Sequence, residues 1–192
     1  NNLIASVTTY TVWFAIIFYT YLETDSVFAT SVISGIFLVA TASTGIIFGG
    51  IVDHNTKKNA MLYSSIATLI SFVASLVMYL FVDHATFKEV NRPELWIFIV
   101  LIMVGVIAGN IRGIALPTLV TIMIPEDKRP NANGLVGTVS GVGFLLTSVF
   151  SGLLVGASGM YWVLILAVIL TALAIVHLVL TNIPEDKIAT HE

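Results

Sequence analysis

One charged side chain stands in the middle of a long apolar run. Arg112 lies in VGVIAGNIRGIALPTLV, well away from either end, with Asn110 just before it. A guanidinium at mid-bilayer depth costs about 2.5–3.5 kcal/mol on insertion scales, and more on an isolated helix. It is therefore expected to face the protein interior or a water-filled cavity, where carbonyls, Asn110 or water can accept its hydrogen bonds. Two roles stay open for it. It either helps to hold a polar ligand or a proton-linked network, or it is a structural arginine bonded to backbone carbonyls or snorkelling inward.

Other candidate residues form small groups. Histidine as a residue type changes charge near neutral pH, so His177, in LAIVHLVLTNIPEDK, is either a proton relay or a side chain reaching the headgroup region. The stretch GIIFGGIVDHNTKKNAMLYS places Gly49, Asp53, Lys57 and Lys58 at one polar break. The stretch GLVGTVSGVGFLLTSVFSG carries Gly134, Gly143, Thr147, Ser148, Ser151 and Gly152, small residues that allow close helix packing. Tyr10, Trp13 and Phe14, with Thr9 and Thr11, give the first run a mixed polar and aromatic side. That side suits the wall of a cavity for lipophilic, including cationic, compounds. There is no HExxH zinc motif, no Ser/His/Asp arrangement and no paired mid-run carboxylate, so an intramembrane enzyme is disfavoured. No metal site and no cofactor are expected. Cysteine is absent.

The elements that position these residues follow from composition. Apolar residues make up 57% of the chain and charged residues 10%, less than half of what keeps a soluble domain hydrated. A helix needs about 20 mostly apolar residues to cross ~30 Å of hydrocarbon. Six runs meet this, at roughly 3–22, 26–52, 59–82, 95–124, 133–155 and 159–182. They are too long for strands and show no period-two alternation. The fold class is all-α, a polytopic bundle of six transmembrane helices surrounded by membrane lipid. The net charge of −3 gives no basic field for nucleic acid. The first residue is not Met and no charged stretch precedes the first run, so no cleavable signal peptide is read.

Six spans place alternate breaks on opposite sides. Lys57, Lys58, Lys128, Arg129 and Lys187 fall on one side, Lys88 and Arg92 on the other. The positive-inside bias makes the first side, with both ends of the chain, cytoplasmic. Tyr19, Tyr21, Tyr79, Trp96, Tyr161 and Trp162 then lie near the external ends, as an interfacial belt would. Tyr19 and Tyr21 are expected to face lipid. The pentapeptide IPEDK occurs at 124–128 and 183–187, each time where a run stops on the cytoplasmic side. Pro125 and Pro184 disfavour helix at the preceding Ile. The repeat is read as two similar stop signals, with a shared partner-binding motif as the alternative.

The break at 45–64 resembles the signature loop between helices 2 and 3 of the major facilitator superfamily, Gly-x-x-x-Asp-Arg-x-Gly-Arg/Lys-Lys. Gly49, Asp53, Lys57 and Lys58 match, while His54 stands where Arg is usual and Thr56 where Gly is usual. Residues 134–152 resemble the helix 5 motif of that superfamily's drug:proton antiporters, Gly-x8-Gly-x3-Gly-Pro-x2-Gly-Gly. Thr147, Ser148 and Ser151 replace two of its glycines and its proline, which puts the helix kink in doubt. Pro117 and the pair Ala132-Asn133 are similar to the helix 4–5 region of drug-efflux members. The resemblance implies the N-terminal six-helix half of a plasma-membrane secondary transporter whose partner is a C-terminal six-helix half. It implies a small-molecule substrate, alternating access, and proton-coupled efflux of lipophilic compounds. It also implies that Asp53 acts as a conformational latch, and that Arg112 couples to proton movement, although the companion glycine four residues on is Leu116 here. A coupling carboxylate would lie in the other half, or Glu23 would lie deeper than its place at the end of the first run. The alternatives are a nutrient or metabolite transporter of the same superfamily, and a self-assembling six-helix channel subunit. The channel would need a filter loop or charged ring, and the longest break, 83–94, is polar without an apolar re-entrant segment.

Overall fold

The computed structural model describes residues 1–183. Its helices are α1 (Asn2–Thr24), α2 (Val27–His54), α3 (Lys57–Phe81), α4 (Pro93–Gly109), α5 (Ile111–Met123), α6 (Arg129–Ser158) and α7 (Tyr161–Leu180). Short 3-10 turns, His84–Lys88 and Glu126–Lys128, stand in two of the connections. Taken together, α4 and α5 form one continuous span, so six helical stretches are long and apolar enough to cross a membrane. No strand occurs among the described residues. The second copy of IPEDK, from Pro184 on, and with it Lys187, lies outside the described residues.

Local chemistry sets the helix ends. Asp25 ends α1 in the left-handed conformation (φ 50°), and its N–H donates to the Tyr21 carbonyl at 2.8 Å. Ser26 then caps α2, its Oγ accepting from the Ala29 N–H at 3.1 Å. These two residues make the α1–α2 turn without Gly or Pro. Thr56 caps α3 by accepting from the Asn59 N–H at 3.3 Å. Ile124 is extended before Pro125, as the ring of a following proline demands, and α5 stops there. The helix after it begins at Arg129 with Pro130 in its first turn, where a missing N–H costs nothing.

The fourth apolar run is not one uniform helix. At Asn110 it tightens: the Asn110 N–H donates to Ile107 O at 3.0 Å and the Gly113 N–H to Asn110 O at 2.9 Å, both three-residue steps. Such a stretch inside a helix marks strain or a hinge. Gly109, Gly113 and Pro117 surround it, and Pro117 removes a further backbone donor. Hydroxyls of α3 support the site from outside. Ser64 Oγ donates to Ala108 O at 2.7 Å, and Thr68 Oγ1 to Gly105 O at 2.9 Å. Gly105 makes this approach possible, since a Cβ there would lie 2.8 Å from Phe72 Cε1.

α1 packs against α6, α7 and α4, while α3 packs against α4 and α7. The end of the bundle bearing Asn1, the α2–α3 turn and the end of α7 is called the terminal face; the other is the far face. At the far face, Phe87 from the 3-10 turn enters a cluster of Tyr19, Tyr79 and Phe98, with ring centroids 5.0–6.4 Å apart. Tyr19 is 1% exposed, which corrects its expected lipid-facing position; Tyr21 is 46% exposed. The Tyr79 hydroxyl accepts from the Met160 N–H at 3.3 Å and pins the turn between α6 and α7. Two helices remain thinly covered. Within its most apolar window, only 6% of α2 and 22% of the α6 span is buried, against 33% or more for the others.

Candidate functional site

Arg112 is 5% exposed and faces the bundle interior. It stands eleven residues before Met123, the end of α5, about 16 Å along a helix axis at 1.5 Å per residue. Its Nη1 donates to Asn1 Oδ1 at 2.6 Å, and its Nη2 to the Ser65 hydroxyl. Ser65 passes its own proton to Met61 O at 2.7 Å. Asn1 in turn donates to Ala174 O at 2.6 Å and lies 3.3 Å from His177 Nδ1. The guanidinium therefore ties α5 to α3 and, through Asn1, to α7. Among the described residues it pairs with no carboxylate and makes no bond to Asn110.

A cavity of about 150 Å³ opens beside it, between α1, the α4–α5 joint and α6. Asn2, Ser6, Tyr10, Asn110 and Ser140 line it, and their side chains make no hydrogen bond among the described residues. Apolar surface comes from Leu116, Pro117 and Val136. A second, larger groove of about 400 Å³ lies between α1, α6 and α7, with walls that include Val12, Phe150 and Leu166. Its Thr8 and Thr147 hydroxyls donate to Ile4 O and Phe144 O of their own helices, leaving chiefly hydrocarbon to face outward.

The residues of the 49–58 stretch serve two purposes. Lys57 Nζ donates to Val52 O at 2.9 Å at the end of α2. Lys58 Nζ reaches across the terminal face to Val179 O at 3.1 Å and Thr181 O at 2.6 Å, at the end of α7. Both ammonium groups thus sit where helix C-termini present unpaired carbonyls and the negative end of the dipole. Thr56, in place of the usual glycine, supplies the α3 cap, and His54 Nδ1 donates to Gly50 O at 2.8 Å. Asp53 is exposed on the last turn of α2 and makes no hydrogen bond or ion pair among the described residues. Gly49 has open space where a Cβ would stand.

The small residues of α6 divide between two faces. Gly143, Thr147 and Ser151 are buried one turn apart, and a Cβ at Gly143 would meet Val7 of α1 at 3.4 Å. Gly152 lies beside Phe18, while Gly134 faces open space. The hydroxyls of Ser148 and Ser151 donate to Leu145 O and Thr147 O of the same helix, and α6 runs unbroken without the proline of the motif. Of the expected aromatic wall, Tyr10 lines the cavity. Trp13 stacks on Phe37 at 3.8 Å between centroids, and Phe14 meets the edge of Phe144 at 5.1 Å.

Sequence reading had not singled out Asn2, Ser6 and Ser140 of the cavity, or Asn1 and Ser65 of the arginine network. A signal for the first two existed: Asn2, Ser6, Thr9 and Tyr10 follow the i, i+4, i+7, i+8 spacing of one helix face. It had also not singled out Glu94, in the first turn of α4 at the far face, whose Oε2 is buried with no hydrogen-bond partner among the described residues. Glu23 lies at the far end, 4.0 Å from Lys88 Nζ.

Six membrane-length helices around a partly polar cavity define the class as a membrane-embedded helical bundle. The model of the Major Facilitator Superfamily matches residues 2–192, and the chain belongs to that family. Members of this family are secondary transporters rather than enzymes, and the six spans form one half of its fold. No curated protein and no solved structure matches the chain.

Proposed function

We infer that this chain is the N-terminal half of an exporter of small lipophilic compounds, driven by the proton gradient of the plasma membrane. The observation that carries the reading is the cavity at the α4–α5 joint, with a buried cation beside it and the thinly covered helices α2 and α6 in the same bundle. A second six-helix half would cover those helices and complete the cavity. Rocking of the two halves would then expose the site alternately to each side. The tightened joint at Asn110 is a suitable place for the fourth span to flex. The terminal face is taken as cytoplasmic, because Lys57, Lys58, Lys128 and Arg129 lie there. Lys57 and Lys58 would hold that face together through the helix ends they cap. Asp53, exposed beside them, would latch onto the second half in one of the two states.

The test uses the full-length protein in inverted membrane vesicles. Proton-driven accumulation of a lipophilic dye, abolished by a protonophore, is expected. Asp53→Asn should slow it while leaving insertion unchanged. Accumulation that ignores the proton gradient would remove the coupling, and a cysteine at 57 labelled from outside intact cells would reverse the orientation.

A further inference from the structure

We propose that the cavity beside Arg112 is a subsite for a single negative charge, and that the ligand handled by this half is a lipophilic carboxylate rather than a cation. This rests on the transporter reading above and names the chemistry of its substrate. The polar side chains that line the cavity are neutral: Asn2, Ser6, Tyr10, Asn110 and Ser140. Among the described residues the one charged side chain in its wall is the guanidinium, 5% exposed, whose hydrogen-bond partners are the neutral Asn1 side-chain amide and the Ser65 hydroxyl. Among the described residues no carboxylate balances it; a buried charge left so is costly, and a ligand that brings the opposite charge recovers part of that cost. A cation entering the same space would meet like charge and lose its hydration.

The hydrogen-bonding groups point the same way. Hydroxyls and amides without partners can donate to a carboxylate, whose two oxygens have about four acceptor sites. The guanidinium uses two of its five N–H groups on Asn1 and Ser65, leaving others for an approaching oxygen. Charge count limits the ligand further, since one cation balances a monoanion and would leave a dianionic phosphate with excess charge. Size limits it as well. At about 150 Å³ the cavity is below the 300–1,000 Å³ usual for a whole drug-sized molecule. It therefore takes the head group and the first carbons, with Leu116, Pro117 and Val136 against the hydrocarbon. The rest of the ligand extends from the cavity mouth.

The experiment compares three probes of one ring system on the purified full-length protein: 2-naphthoate, 2-naphthamide and 2-naphthylmethylamine at neutral pH. Binding is read as protection against thermal unfolding over a concentration series. Naphthoate is expected to protect wild type, with the amide and amine at least tenfold weaker. Arg112→Gln should weaken naphthoate at least tenfold, Arg112→Lys less, because the charge stays while the planar fork is lost. Ser140→Ala should weaken it two- to fivefold, and it keeps the proposal testable if Arg112→Gln does not fold. The proposal is overturned if naphthoate gives no protection, if the amine or amide protects equally, or if folded Arg112→Gln keeps wild-type naphthoate affinity. Proton-driven dye export without naphthoate binding would sink the carboxylate and keep the exporter. Naphthoate binding without proton-driven export would do the reverse.

Discussion

The two ends of the bundle are held together by different physics. At the far face, Tyr19, Tyr79, Phe87 and Phe98 close the helices with ring contacts, and Gly159 lets the α6–α7 turn sit against the Tyr79 hydroxyl. Toward the terminal face, the helices are joined by hydrogen bonds from Ser64, Thr68, Arg112 and Lys58 to groups on neighbouring helices, around a cavity. Close-packed rings resist separation because each displaced atom loses many dispersion contacts. Hydrogen bonds inside a membrane protein exchange partners at modest cost, averaging about 0.6 kcal/mol each. The contrast assigns rigidity to one end and adaptability to the other.

Substitutions can break or sharpen that contrast. The largest effect is expected at Phe87, which is fully buried. Phe87→Ala should cost about 3–5 kcal/mol of stability in reversible unfolding, since removing a ring leaves a cavity that cannot collapse. A loss below about 1 kcal/mol would show that the far face is not the rigid end. Gly105→Ala comes next, at about 1–3 kcal/mol, because its Cβ would press on Phe72 and on Ser71 Cβ at 3.0 Å. Thr68→Val removes one interhelical hydrogen bond at nearly constant shape, so about 0.6 kcal/mol is expected. A loss as large as that of Phe87→Ala would mean that the polar end is as rigid as the aromatic one. The smallest effect should come from Gly137→Ala, where no atom lies within 4 Å of the added carbon. Stability measured on the six-span segment should not fall, since Ala is the better helix former by up to about 1 kcal/mol. A loss seen in the full-length protein would map a contact with the proposed second half.

Much of the fold was legible because hydropathy in a membrane protein is a strong signal. Runs such as 59–82 are long, apolar and bounded by polar breaks, and the backbone has no option but helix there. The joint at Asn110 was less legible, since Gly109, Asn110 and Gly113 interrupt no hydrophobic run and the tightening depends on carbonyl contacts from α3. Tyr19 was misread for a related reason. An interfacial aromatic and a buried one have the same sequence position near a helix end, and only the entry of Phe87 from the far-face turn separates them. At the site, Arg112 was conspicuous by charge alone. Its partners were not, because Asn1, Ser65 and the arginine come together only when α1, α3 and α5 pack. The lysines of the 53–58 stretch could be counted but not aimed. That Lys58 reaches the end of α7 depends on a long-range arrangement no local pattern encodes.

Among the described residues the charge of Arg112 has no counter-charge, and this makes the bundle an electrical object. A full elementary charge carried across the membrane works against about 2.3 kcal/mol per 100 mV. If rocking shifts the guanidinium through a tenth of the field, voltage biases the empty protein by about a tenth of that figure, roughly 0.2 kcal/mol. With a monoanion seated against it the moving unit is neutral, and the bias disappears. Through this charge, membrane potential would act on the half-cycle that runs without the carboxylate and leave the carboxylate-loaded one untouched.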